Sequence, residues 1–459
     1  MDLVQIVDSL KGKKTLFLGQ SRTMSEEDIE LFLDQVGAEK AKDESDEPIA
    51  LIVLGRLINP YEEAYSDEKE RAGVPVVALE ELEKYYANYI DPNALLGSLT
   101  LFANRKRIIN LLHNCAISDD LFCGILKLYD WEGQAPFETD ENRDVAGTIV
   151  ARFYPDIERN HNIQYSPVGP FLVAAQCENV KLLEAMVLIP DYEITQRSQD
   201  VWMPRTLHES LLINPHLSAS LLEQFWQTGD LRKQGFVAMH PNLSESRQSE
   251  LIKSKECWVQ EGLARNPNLS QSLHNEFLNI ANVVVKNAFL QSQPLSLDTI
   301  ETIVMKGDEK SLEAIGSNPY LDETVAIKLI KSGNETLISS LASNRSLSES
   351  AYEAIEATKN VSILRKLAAN PSVPSKLLEK LTRIRDKDIY VALAANPSTS
   401  QTHLRNFSKI RDKDIRISLA SNPSTPIEIL LSYQTDANLA NILKRNEAFG
   451  EYIKQNIGW

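Results

Sequence analysis

A chain of 459 residues with 43% hydrophobic content is too long for one small domain and apolar enough to bury an extended core, so two or more structural regions are expected. A net charge of −16 argues against indiscriminate binding to nucleic acid, and four scattered cysteines (Cys115, Cys123, Cys177, Cys257) have neither the pairing of a disulfide framework nor a redox spacing, which suits a reducing cytoplasm. No stretch approaches the roughly 18 apolar residues of a membrane span, and no apolar run of signal-peptide length follows Met1, so the chain is expected to be soluble and unprocessed.

Residues 1–90 alternate strand and helix. The apolar run Lys14–Leu18 ends at Gly19. Ser25 is placed to open a helix with Glu26, Glu27 and Asp28 in its first turn, an apolar stripe at Ile29, Leu31, Phe32 and Val36, and Gly37 as its stop. A continuous apolar strand is expected over residues 49–55, a charged helix over 62–72, a strand over 74–78 and a helix over 79–86, an order that favours a parallel sheet. Residues 91–189 read as irregular helical units, with helical patterns at 95–112 and 120–129, a polar loop around Gly133 and Pro136 that takes in the acidic cluster 138–141, and further helix through Val150 and over 172–188. Leu112-His113-Asn114-Cys115 there is a worn copy of a signature that dominates the rest of the chain. His113, Cys115 and Cys123 lack the spacing that preorganises a tetrahedral zinc site, so no metal is expected.

From residue 190 the chain repeats. Leu-Ala-Ala-Asn-Pro-Ser stands at 367–372 and again at 393–398, with Leu-Ala-Ser-Asn-Pro-Ser at 419–424, so the prolines Pro371, Pro397 and Pro423 are 26 residues apart. Stepping back by the same interval reaches Arg345, Pro319, the neighbourhood of Pro294, then Pro267, Pro241, Pro215 and Pro190. A fixed period of this length implies units that each bury an apolar face against the next. Apolar positions six, seven and ten residues after the proline (Leu377, Leu378, Leu381) and eight, four and three before it (Ile389, Leu393, Ala394) have helical spacing, so each unit is predicted to be two short helices. Ser218, Ser244, Ser270, Asp322 and Ser348 are placed to cap the second helix, and Pro374 or Pro426 to preset its first turn. Proline forces the first helix to stop. The asparagine before it (Asn214, Asn266, Asn318, Asn344, Asn370, Asn396, Asn422) is expected to bond backbone groups freed by the break and to form an internal ladder. The fold class is therefore mainly α: an α-solenoid of two-helix repeats over 190–459, irregular helical units over 91–189, and a small α/β domain over 1–90.

Two resemblances add to this reading. Ile415-Arg416-Ile417-Ser418-Leu419-Ala420-Ser421-Asn422-Pro423 resembles the hallmark of the leucine-rich repeat variant family, which implies a curved helical stack with a non-catalytic role. No cysteine cluster accompanies it, so the iron–sulfur cluster known from one family member is not carried over. Lys11-Gly12-Lys13-Lys14, Gly19, Gly37, Ala50-Leu51-Ile52-Val53-Leu54 and Gly73-Val74-Pro75-Val76-Val77 resemble a BRCT domain, implying a module that caps the repeats, dimerises or reads a partner. Leu18 stands where phosphopeptide-binding members carry Ser or Thr, and Leu82 where the family usually carries tryptophan.

Charge is divided unequally. Residues 1–90 hold ten Lys/Arg against twenty Asp/Glu, a net −10, and residues 361–459 hold fifteen against nine, a net +6. Ile384-Arg385-Asp386-Lys387-Asp388-Ile389 recurs one period later as Ile410-Arg411-Asp412-Lys413-Asp414-Ile415. Arg383, Arg385, Lys387, Lys409, Arg411, Lys413 and Arg416 are expected to line one edge, because equivalent positions superpose along a repeat. Two readings follow. Neighbouring opposite charges can simply keep the edge soluble, or the edge can face anions, either an acidic protein surface or nucleic-acid phosphates. Absence of interleaved aromatics disfavours single-strand binding. Seven histidines lie singly and no Walker loop, GxGxxG or HExxH is present, so the sequence predicts a non-enzymatic, cofactor-free scaffold that binds a protein partner, with DNA association as the alternative.

Overall fold

The computed structural model describes the chain except residues 1–2, 22–23, 25, 88–90, 103, 158–160, 195–199, 307 and 458–459. The protein is mainly helical, with one small four-stranded parallel sheet at its N-terminal end. It divides into two compact units, Met1–Val237 and Ala238–Trp459.

In the first unit, the strands β1 (Lys14–Leu18), β2 (Glu39–Lys40), β3 (Ile49–Leu54) and β4 (Val76–Ala78) lie in the order β2-β1-β3-β4, all parallel, with Leu16 opposite Ile52 and Ile52 opposite Val76. Around them stand α1 (Leu3–Asp8), α2 (Glu26–Val36), α3 (Pro60–Arg71) and α4 (Leu79–Ala87). Both faces of the sheet are covered, which explains why β3 is apolar throughout. Leu51 and Val53 pack with Ile6, Ile29, Phe32 and Leu82 on one face, while Leu16, Leu18 and Ile52 pack with Ile58, Tyr65 and Val76 on the other. Gly37, at φ +68°, follows α2 in the left-handed conformation that glycine adopts without strain. Ser25, expected as the cap of α2, falls outside the described residues. The sequence reading missed α1, a six-residue helix whose Ile6 and Val7 are buried in the core; so short a segment has too few turns to show a period.

The expected helix over 95–112 is two helices, Pro92–Phe102 and Arg105–Leu112, because the Asn104 side chain accepts from the Arg107 amide at 3.1 Å and starts a new helix. The acidic cluster read as loop belongs partly to a helix. Asp140–Phe153 begins at the cap Thr139, and Asp140 and Glu141 occupy its first turn, where the helix dipole favours acids. Arg107 joins this helical region to α2 through Asp28 at 3.2 Å, both side chains largely buried.

The second unit consists of short helices in pairs, such as Val361–Ala369 with Ser375–Leu381, and Lys387–Ala395 with Gln401–Phe407. Ser244, Asp322 and Ser348 cap their helices as the spacing predicts, and Ser218 does so in the first unit. Ser270 does not. Its hydroxyl pairs with Ser272, and the segment Gln271–Leu273 starts as a tighter 3-10 turn.

Asparagine before the proline makes the ladder, and its partners lie in the preceding unit. Nδ2 of Asn396 donates to the carbonyls of Ala368 (2.8 Å) and Asn370 (2.9 Å), while Oδ1 accepts from the Ser398 amide at 2.9 Å. Asn370 does the same to Ala342 and Asn344, and Asn422 to Ala394 and Asn396. These side chains are buried. Each carbonyl served lies at the C-terminal end of a helix, where no intrahelical donor remains; the carboxamide supplies one to the first, and a second to the asparagine carbonyl, which also takes the amide three residues on, as Asn370 takes that of Val373 at 3.2 Å. Where the motif departs from consensus the rung persists: Gln293 donates to Ala264 and Asn266, and Asn446 to Ala420 and Asn422. In the first unit Asn214 donates to Ala174 and Cys177. Asn114, in the worn copy, keeps the local half of the pattern and accepts from the Ala116 amide at 2.8 Å.

Candidate interaction edge

The seven basic residues singled out by the sequence sit where one helix pair passes to the next. Asp386 stands immediately before the helix Lys387–Ala395 and accepts from the Ile389 amide at 2.9 Å, which makes it an N-cap. Asp412 does the same one period later, accepting from Asp414 at 2.9 Å and Ile415 at 3.2 Å. Asn282, Asn334 and Asn360 cap at the corresponding earlier positions. The first aspartate of each charged tract is therefore a cap.

Both caps also receive a cation from the unit before. Arg365 grips Asp386 with two nearly parallel bonds, Nε to Oδ1 at 3.0 Å and Nη2 to Oδ2 at 2.7 Å, and reaches Asp388 at 2.9 Å. Lys387 reaches forward to Asp414 at 2.7 Å and Asp412 at 3.0 Å. Arg416 reaches Asp436 at 2.9 Å and lies over the Tyr433 ring at 5.0 Å. The hydrogen bonds that Lys387 donates to Asp414 and Asp412 hold its ammonium above the usual lysine range, and the bond donated by Arg365 holds the Asp386 carboxyl below the usual carboxylate range.

The acids of the tract are thus engaged by neighbouring units. Lys387 and Arg416 are engaged as well. Arg383, Arg385, Lys409, Arg411 and Lys413 are exposed and make no ion pair among the described residues; Lys409 has only a long contact with Asn406 at 3.4 Å. Arg411, Lys413 and Arg416 line a single cavity of about 470 Å³ together with Asp412, Asp436, Asn438, Ile410 and Leu439. Arg383, Arg385 and Lys387 belong to the preceding unit and do not line it. Sequence reasoning missed Arg365, Tyr433 and Asp436. Tracing the cap position back at 26-residue intervals was the signal that would have marked Asp386 and Asp412 as structural.

Among the described residues no three His, Cys, Asp or Glu side chains gather as a metal site, the four cysteines are unpaired, and no helix is long and apolar enough to cross a membrane. No family model, curated protein or solved structure matches this chain. The chemistry of the edge therefore has to be read from its own residues.

Proposed function

We propose that this protein is a non-catalytic scaffold, a two-helix-repeat solenoid of the leucine-rich repeat variant kind carrying a small BRCT-like domain, and that its C-terminal repeats bind an acidic segment of a protein partner. One observation carries this reading. Caps and inter-unit bridges have taken up the acids of both charged tracts, and Arg383, Arg385, Lys409, Arg411 and Lys413 are left exposed with no ion-pair partner among the described residues. Such a column of cations attracts an extended anion, and the cavity at Arg411, Lys413 and Arg416 gives one acidic side chain a seat between guanidinium groups. The unpaired cysteines support a reducing, cytoplasmic setting.

Fluorescence anisotropy of the full chain with a labelled poly-glutamate peptide, across a salt series, tests the reading. Saturable binding that weakens with salt and falls at least tenfold in the double variant Arg385→Glu/Arg411→Glu is expected. Equal affinity in the variant sinks the proposal. Binding of duplex DNA in place of the peptide, with steep weakening by salt, selects the DNA-associated alternative.

A further inference from the structure

In the first unit, the chain leaves β1 toward one side of the sheet and β3 toward the other, so β1 and β3 form a topological switch point. Crevices open beyond the carboxyl ends of parallel strands at such points. Here the two strand ends press together: a Cβ on Gly19 would meet the Arg56 carbonyl at 2.7 Å, and one on Gly55 would meet the Gln20 carbonyl at 2.5 Å. Beside this crossing, at the ends of β3 and β4, lies a cavity of about 420 Å³ walled by Leu54, Ala78, Leu79 and Ala116. Its volume suits a small molecule.

Glu83 on α4 lines that cavity, is 5% exposed, and its Oε1 has no hydrogen-bond partner. A buried carboxyl oxygen left alone is costly, and in a native structure it calls for a partner, whether water, ion or ligand. Burial first, and then Glu80, push this carboxyl up to about 7 against the opposing pull of Arg56. Glu80 and Lys84 on the same helix, Arg56 after β3, and His113 and Cys115 on the facing segment are the other titratable groups of the cavity. His113 is held by Asp144 at 2.8 Å, and Arg56 meets Glu80 at 3.2 Å in a pair that is about 70% exposed on both sides. So exposed a pair exchanges partners readily.

This lining selects by sign. A simple cation would face Arg56 and Lys84, and a simple anion would face Glu80 and Glu83. A molecule bearing both charges a few ångströms apart satisfies each. We propose that the cavity binds a free α-amino acid, its ammonium group on Glu83, its carboxylate on Arg56 and its side chain against Leu54 and Leu79.

Isothermal titration of the full chain with the common L-amino acids tests this. At least one should give a saturable signal, and its decarboxylated amine and its deaminated acid should each bind at least tenfold more weakly. Glu83→Gln should lose the preference for the amino acid over the deaminated acid, and Arg56→Gln, an exposed change that leaves folding untouched, the preference over the amine. At about pH 6 binding should release a fraction of a proton, because the incoming ammonium ionises Glu83, and at about pH 8.5 that release should vanish. No saturable signal up to about 10 mM for any amino acid, or unchanged selectivity in Arg56→Gln, overturns the proposal.

Discussion

The asparagine column and the charged edge of the second unit both repeat every 26 residues, yet they end in opposite states. Each asparagine is buried and makes two donations and one acceptance, so both of its donors are spent within the fold. At the edge the acids are satisfied while five cations face water. Regular spacing therefore says little about function by itself. The informative quantity is how much of each side chain's bonding capacity the fold has already used.

The largest effect that would break this contrast comes from Asn396→Asp. A carboxylate there faces two carbonyl oxygens without solvent, and equilibrium unfolding in urea near pH 7 should show a loss of about 4 kcal/mol. Asn396→Ala, which strands the Ala368 carbonyl and leaves Asn370 only the Val373 amide, should lose about 2 kcal/mol. Losses below about 1 kcal/mol in both would mean that the rungs contribute little and that helix packing alone holds neighbouring units together.

Glu83 gives the reverse case, a buried polar group with an oxygen that the fold leaves unused. Its folded-state pKa lies above the unfolded one, so its contribution is intact below about pH 4.5 and is lost as pH rises toward about 7. Glu83→Gln should accordingly raise stability at about pH 8 by roughly 2 kcal/mol and flatten the pH profile between those limits, as measured by urea unfolding at several pH values. A destabilised variant with an unchanged slope would show that the carboxylate is satisfied in solution.

At the edge, Arg385→Glu/Arg411→Glu should leave the thermal midpoint almost where it is while removing peptide binding, since neither arginine holds another residue. A marked fall in the midpoint would move both from the binding column to the structural one. The smallest effect belongs to Lys387→Gln. It removes an exposed bridge, so its destabilisation should be slight at low salt and disappear in molar salt, where such pairs are screened. Asp386 and Asp412 have lowered folded-state pKa values, so what they contribute is present above the ordinary aspartate range and lost as pH falls through the folded values. Acid unfolding of Lys387→Gln should therefore begin at slightly higher pH than in the unaltered chain.

Much of this architecture was legible in the sequence, for reasons that differ from part to part. The 26-residue period and the apolar stripes marked the helix pairs, because burial on one side of a short helix leaves a visible spacing. The parallel sheet was legible in the apolar run of β3. The ladder's location could be read, but its direction could not: nothing in Asn-Pro says that the carboxamide reaches back 26 and 28 residues. Gln293 departs from the motif by letter, whereas the rung requires only a carboxamide that can reach. At the edge, Arg385, Arg411 and their neighbours were legible as charges. Which of them remain available depended on Arg365 and Asp436, side chains 20 or more residues from the ones they hold. Glu83 gave no signal, since an exposed and a buried glutamate on a helix are spelled alike.

The described rungs of the ladder all point the same way, from a unit to its predecessor, and those of Asn344, Asn370, Asn396 and Asn422 go to the same two positions. Removal of residues 371–396 would bring Asn422 to the carbonyls of Ala368 and Asn370 that Asn396 now serves, and duplication of the same segment would leave every carboxamide with a pair to meet. Such a chain can change length in whole units without rewriting any junction. The identical tracts at 367–372 and 393–398 are what a duplicated unit would leave behind, and with intervals of 27 and then 25 residues on either side of it, Gln293 keeps its rung through a side chain one methylene longer.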